Sequence, residues 1–139
     1  MAKTINEVMT HDPRTISRDT TLDEAARFMR DDDVGAVLVE DGGKLAGIVT
    51  DRDIVVRAVA DGRSPSDVKA GDVCTDNPGT LTPDQTVHEA ARFMRDKNVR
   101  RVPVVQGDRA VGIVSIGDLA VELDTDSALA DISASSPNN

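Results

Sequence analysis

Apolar and polar positions follow two rhythms along this chain, and each rhythm occurs twice. From Leu22, apolar side chains recur at Ala25, Ala26 and Met29, and from Val87 at Ala90, Ala91 and Met94. Steps of three and four residues place one apolar stripe on a helix, and such stripes must be buried. Both stripes stand behind Thr-x-x-Glu, at Thr21 to Glu24 and at Thr86 to Glu89. That is the pattern of a capping box, in which a Thr hydroxyl and a Glu carboxylate satisfy the orphan N–H groups of a helix start. Downstream, Ala36-Val37-Leu38-Val39 and Val102-Pro103-Val104-Val105 are short β-rich runs. Each is followed by a turn, Asp41-Gly42-Gly43 or Gln106-Gly107-Asp108, and by a second run, Leu45 to Thr50 or Ala110 to Ser115. Two such runs across a Gly-containing turn predict a hairpin. A second helix is then predicted from about Asp53 to Ala60, ending near Gly62, with a counterpart from about Asp118 to Leu123.

The doubling is ungapped. Shifting the chain by 65 residues matches Val8 to Ile54 onto its own second half with identity at 22 of 47 positions, including Glu24-Ala25-Ala26-Arg27-Phe28-Met29-Arg30-Asp31 on Glu89 to Asp96 and Gly47-Ile48-Val49 on Gly112 to Val114. The protein is therefore two copies of one supersecondary unit. Each copy reads as an extended lead-in strand, a helix, a β-hairpin and a second helix. This α/β (α+β) pattern is expected to pack with pseudo-two-fold symmetry and related clefts between the copies. Copy one is expected over 1–62, a short polar linker over 63–66, copy two over 67–123, and a flexible C-terminal tail over 124–139.

Composition narrows the function. The 139 residues include no Trp, no Tyr and two Phe, and 25 acidic against 16 basic side chains give a net charge of −9. A single-strand nucleic-acid binder needs stacking platforms and a basic groove, so no nucleic-acid partner is expected. Apolar stretches such as Ala36 to Val39 fall far short of the roughly 20 residues of a spanning helix, so no membrane partner is expected either. Met1-Ala2-Lys3-Thr4 lacks the charged-then-apolar start of a signal peptide, which predicts a cytoplasmic protein. Cys74, His11 and His88 are too few and too scattered for a zinc pattern, and the consecutive Asp31, Asp32 and Asp33 cannot all face one ion. No nucleophile stands beside a base and no Gly-rich phosphate loop is present, so neither an enzyme nor a required cofactor or metal is predicted. Cys74 replaces Met9 under the repeat and reads as a small buried apolar side chain. Phe28 and Phe93 read as core or dimer-face packing, Arg27, Arg30, Arg92 and Arg95 as outer helix faces, and His88 as facing water.

Candidate chemistry lies where each hairpin hands over to its second helix. Unpaired N–H groups and the helix dipole at Thr50 and Ser115 favour an anion. Asp53 and Asp118, three residues on, are acceptors suited to vicinal hydroxyls. Arg52, Arg100 and Arg101 are the nearest cations for phosphate oxygens. The same pairs are also N-cap and N3 residues, worth about 1 kcal/mol to the helix with no ligand present, and both readings stand. The copies differ here. Asp51-Arg52 becomes Ile116-Gly117, and Gly35-Ala36 becomes Arg100-Arg101, so a phosphate in the second cleft depends on Arg100 or Arg101.

Three motifs carry a family resemblance. They are the doubled Val-x-Thr-x-x-Pro-x-Thr (Val8, Thr10, Pro13, Thr15 and Val73, Thr75, Pro78, Thr80), Arg-Arg-Val-Pro-Val-Val at 100–105, and Gly-Ile-Val-Thr-Asp-Arg-Asp at 47–53. With them the chain resembles a tandem pair of cystathionine-β-synthase (CBS) domains of the stand-alone bacterial type, over Thr4 to Leu123. The resemblance implies a regulatory or sensor module that binds an adenine nucleotide or related adenosyl ligand, such as AMP, ADP, ATP or S-adenosylmethionine, in clefts between the two repeats. It further implies flat, disc-like homodimers whose geometry signals to an effector protein. Carried over residue by residue, the first cleft uses Thr15, Ile16, Ala36, Val37, Thr50, Arg52 and Asp53. The second uses Thr80, Leu81, Arg101, Val102, Pro103, Ser115 and Asp118. In such sites strand backbone reads the adenine edge, the Asp accepts from ribose hydroxyls, and the Thr or Ser hydroxyl reaches a phosphate. The alternative is a ligand-independent interaction module whose dimer surface is the functional part.

Overall fold

The computed structural model describes residues 3–122. Leu123, the predicted end of the last helix, and the tail 124–139 lie outside them. A 3-10 turn, Ile5–Glu7, leads to β1 (Thr10–His11) and β2 (Thr15–Ile16), then α1 (Leu22–Asp32) and the hairpin of β3 (Ala36–Asp41) and β4 (Lys44–Thr50). Next comes α2 (Asp51–Ile54), which widens into a π-helical stretch over Val55–Val59. Copy two repeats the series as α3 (Ala70–Val73), β5 (Thr75–Asp76), α4 (Val87–Lys97), β6 (Arg101–Gln106), β7 (Arg109–Ser115) and α5 (Ile116–Glu122). Mixed helix and sheet built twice is as the periodicity predicted. Two details differ. Each lead-in is a short helical turn followed by a strand of two residues, not a continuous extended strand. The second helices begin at Asp51 and Ile116 rather than at the acids two residues later, because extended Thr50 caps α2 from outside.

The chain forms two compact units that cut across the repeat. The copy-one unit is Pro13–Pro78 with Gly107–Ala110. The copy-two unit is the segment ending at Asp12, Gly79–Gln106 and the stretch from Val111. The lead-ins are exchanged. In the copy-two unit, β1 lies antiparallel on β7 with Thr10 opposite Ile113, completing a sheet of order β1-β7-β6. The Ile5 N–H donates to the Gln85 carbonyl (2.8 Å) and the Val87 N–H to the Lys3 carbonyl (3.0 Å). Ile5 and Met9 thereby enter a core with Leu81, Val87, Ala90, Met94, Val102, Val104, Val114 and Leu119. In the copy-one unit, β5 closes a sheet of order β2-β3-β4-β5, with Thr75 opposite Ile48. The Leu22 N–H donates to the Val68 carbonyl (2.9 Å) and the Ala70 N–H to the Thr20 carbonyl (2.7 Å). Val68, Ala70, Val73 and Cys74 join Ile16, Leu22, Ala25, Met29, Val37, Val39 and Val49 in that core. Burying one side chain the size of Ile5 is worth about 1.5–3 kcal/mol, so each unit depends materially on the lead-in of the other copy.

The helix stripes are buried as expected, at Leu22, Ala25 and Met29 and at Val87, Ala90 and Met94, with Ala26 and Ala91 half-buried. Arg27, Arg30, Arg92, Arg95 and His88 are exposed, while Phe28 and Phe93 pack half-buried against their cores. The two predicted capping boxes do not behave alike. At α4 the Glu89 N–H donates to the Thr86 Oγ1 (3.1 Å) and the Thr86 N–H to the Glu89 Oε1 (2.9 Å). At α1 no side-chain cap forms, because the Thr21 hydroxyl donates to the carboxylate of Asp23, where copy two has His88. Both helices end on a left-handed residue, Asp33 and Asn98, each at φ 55°, a conformation that Asp and Asn tolerate better than other non-glycine residues. Gly42 and Gly43, at φ 61° and 82°, give the positive φ pair that a tight hairpin turn requires.

Candidate functional site

Each unit brings its strand-to-helix corner together with backbone first. In the copy-one unit, Ala36 pairs with Thr50 and Val37 with Val49 across the hairpin, and the Asp51 N–H donates to the Gly35 carbonyl (3.0 Å), bending the chain into α2. Thr15 and Ile16 run parallel to β3 opposite Leu38 and Val39. Ile16, Ala36 and Val37 are buried, so what they can offer a ligand is backbone and a small apolar surface, whereas Thr15 and Thr50 are half-buried hydroxyls. Thr50 and Asp53 are joined reciprocally. The Thr50 N–H donates to Asp53 Oδ2 (2.9 Å), and the Asp53 N–H to Thr50 Oγ1 (3.1 Å). The Asp53 side chain is 13% exposed.

Arg52 is not part of that arrangement. It is exposed, and its N–H turns back to Asp51 Oδ1 (2.8 Å). The cation that reaches the carboxylate is Arg57, whose Nε lies 3.8 Å from Asp53 Oδ1 while its Nη1 donates to the Val73 carbonyl (3.0 Å). The signal for Arg57 in sequence is its spacing of four residues from Asp53 on a helix.

The copy-two corner repeats the frame. The Ser115 N–H donates to Asp118 Oδ2 (2.8 Å) and the Asp118 N–H to Ser115 Oγ (3.2 Å), and the Ile116 N–H donates to the Arg100 carbonyl (2.9 Å). Leu81 is buried and bridges in parallel to Val104, its N–H donating to the Pro103 carbonyl (3.1 Å). Pro103 has no N–H and part of its carbonyl capacity is already used, so Arg101 and Val102 carry more of the backbone that β6 can present here. Thr80 is exposed and Arg101 half-buried. Arg100 is half-buried, and its Nη1 is buried with no hydrogen-bond partner among the described residues.

A second polar cluster in the copy-one unit joins Arg18, Cys74 and Asp76. Arg18 Nη2 meets Asp76 Oδ1 at 2.9 Å, and the Cys74 thiol donates to the same oxygen at 3.5 Å. The hydrogen bond from Arg18, and then that from Cys74, hold the Asp76 carboxyl below its ordinary range. Burial, followed by the charge of Asp76, pushes the Cys74 thiol up, which keeps it protonated and a poor nucleophile. Among the described residues no three His, Cys, Asp or Glu side chains converge as a metal site would need, and no helix is long and apolar enough to cross a membrane.

Against known proteins, the family described as "CBS domain" matches residues 5–59 and 70–124. The Bacillus subtilis protein YlbB is 39% identical over 135 residues, covering 93% of this chain and 90% of its own. A crystal structure of hypoxic response protein I with two coordinated zinc ions is 33% identical, with a TM-score of 0.77, over 88% of this chain and 100% of that one. The CBS domain pair of protein MJ0100, solved in complex with 5′-methylthioadenosine and S-adenosyl-L-methionine, is 28% identical with a TM-score of 0.79, over 87% of this chain and 95% of that one.

Proposed function

The chain belongs to the CBS domain family, carrying two such domains in tandem, and on that premise we propose that it is a regulatory module that binds an adenine nucleotide or related adenosyl ligand at the hairpin-to-helix corner of each unit. The observation that carries the reading is the recurrence of one frame at both corners. A Thr or Ser hydroxyl and an Asp carboxylate are held by reciprocal bonds of 2.8 to 3.2 Å although the residues between them, Asp51-Arg52 and Ile116-Gly117, share nothing. In each frame Asp Oδ2 is spent on the cap and Oδ1 lies outside it, which suits acceptance from ribose hydroxyls. The strand backbone at Ala36 and Val37, and at Arg101 and Val102, supplies the adenine edge. Thr15, Ile16, Thr80, Leu81 and Pro103 line the approach. The adenosyl complex of the MJ0100 pair supports the ligand class. No reaction is assigned. The signal is the change in self-association or shape that an effector protein reads.

One observation favours a second reading, an interaction module that needs no ligand. Both frames are closed caps, and Val55, Val56 and Val59 on the π-helical stretch are 56%, 45% and 52% exposed, an apolar face of the kind that marks contact surfaces. Calorimetric titration with AMP, ADP, ATP and S-adenosylmethionine separates the two. The adenosyl reading expects saturable binding that is weakened by Asp53→Asn and Asp118→Asn. The second expects none, with self-association unchanged in the double variant.

A further inference from the structure

The first lead-in sits in the copy-two unit through contacts that an identical segment of a second chain can make equally well. The Ile5 and Asn6 N–H groups donate to the carbonyls of Gln85 (2.8 Å) and Pro83 (2.9 Å), and β1 lies along β7. Ile5 and Met9 are buried in that unit's core, and Gly112 leaves the room that Met9 fills, since a Cβ there would meet the Met9 side chain. Without a lead-in, β7 would present an open edge beside an uncovered apolar groove, a combination that recruits another strand. What ties the segment to its own chain is the hinge. The chain leaves the copy-two unit for the copy-one unit between Asp12 and Pro13 and returns between Pro78 and Gly79. Asp12 and its repeat partner Asn77 stand at φ 49° and 48°, left-handed values that only Gly adopts freely. A proline follows each of them, and proline steers the preceding residue towards extended backbone. Three residues, Asp12-Pro13-Arg14, separate β1 from β2. Short hinges under strain favour exchange of an element between chains. Among the described residues the second lead-in is joined to the chain on both sides, and the first is joined to the rest of it through Asp12 alone.

We propose that the chain self-associates by passing its first lead-in to a second copy, so that Ile5, Met9 and β1 of one chain complete the copy-two unit of the other and the Asp12 hinge relaxes to extended backbone. The closed and exchanged forms make the same lead-in contacts, so the balance between them turns on hinge strain against the entropy of association. No ligand is needed, and the exchange stands whether or not the corners bind an adenosyl group. Thr10 and Ile113 face each other across β1 and β7, near enough in an antiparallel pair for a disulfide. The double variant Thr10→Cys/Ile113→Cys, refolded from urea at rising protein concentration and then oxidised, tests the exchange on a non-reducing denaturing gel. Covalent dimers bonded between positions 10 and 113 of different chains should grow with concentration, beside monomers bonded within one chain. In light scattering without ligand, Asp12→Gly should raise the dimer dissociation constant about tenfold, because two hinges are relieved per dimer. Pro13→Ala, which frees residue 12 from the extended bias, should shift it the same way. A wild type that stays monomeric at every concentration, dimers whose 10–113 bonds all lie within single chains, or Asp12→Gly associating as tightly as the wild type would each overturn the inference.

Discussion

Thr50 and Asp53 hold each other across the start of α2, the Thr50 N–H donating to Asp53 Oδ2 at 2.9 Å and the Asp53 N–H returning to Thr50 Oγ1 at 3.1 Å. The pair is therefore a cap before it is a binding site, and the two roles separate by substitution. Asp53→Ala should cost about 1 kcal/mol of stability and abolish binding at that corner, whereas Asp53→Asn should keep most of the stability and still weaken the ligand. Thermal melts read beside titrations check this. Equal loss of Tm in both variants with unchanged affinity would reduce the pair to a cap.

The α1 and α4 caps give a second contrast. Thr86→Ala removes an acceptor used by the Glu89 N–H and should destabilise by about 1 kcal/mol. Thr21→Ala removes only a donor to Asp23 at a helix with no side-chain cap, so its cost should be smaller. Denaturant midpoints of the two variants decide it.

Gly47 lies where the exchanged lead-in closes the copy-one unit. A Cβ there would come within 2.8 Å of the Thr75 carbonyl oxygen and 3.0 Å of Cys74 Sγ. Backbone cannot swing aside, so Gly47→Ala should cost about 1–3 kcal/mol by overpacking. At the equivalent Gly112 the obstacle is the side chain of Met9, which is flexible, and Gly112→Ala should be milder. Urea titrations of both variants measure the difference.

How much of this was legible in sequence follows from which interactions are local. The stripes behind Thr21 and Thr86, the hairpins, and the Thr-x-x-Asp and Ser-x-x-Asp corners depend on neighbours within a few residues, and they stand where periodicity put them. The exchange of lead-ins was not legible. Ile5 and Met9, or Ala70 and Cys74, show an apolar face at a spacing of four but carry nothing that says which core receives it. The cap at Thr21 failed for a local reason that the motif alone hides, since Asp23 competes for the hydroxyl. Arg52, named for phosphate oxygens as the nearest cation in sequence, is exposed, and the cation beside Asp53 is Arg57, which the helix brings round four residues later.

Stability should depend on pH through Arg18 and Asp76. The folded Asp76 carboxyl titrates below its ordinary 3.8 because Arg18 and then Cys74 donate to it. A depressed acid contributes stability that is present above 3.8 and is lost as pH falls through the lower folded value. Arg18→Met should therefore lower Tm near neutrality, with the gap to the wild type closing below pH 3.8. Cys74 runs the other way. Its folded pKa lies above the ordinary 9.0, so what burial of the neutral thiol contributes is lost as pH rises beyond 9.0. Iodoacetamide should label it slowly in the native protein and fast in urea.

Adenosyl binding can be read by absorbance, because of the chain's composition. With no Trp, no Tyr and two Phe the protein barely absorbs at 260 nm, where adenine is strong. In equilibrium dialysis against millimolar AMP, ATP or S-adenosylmethionine, a saturable excess of 260 nm absorbance should build up on the protein side and be reduced in Asp53→Asn and Asp118→Asn. No excess with any of these ligands would contradict adenosyl binding.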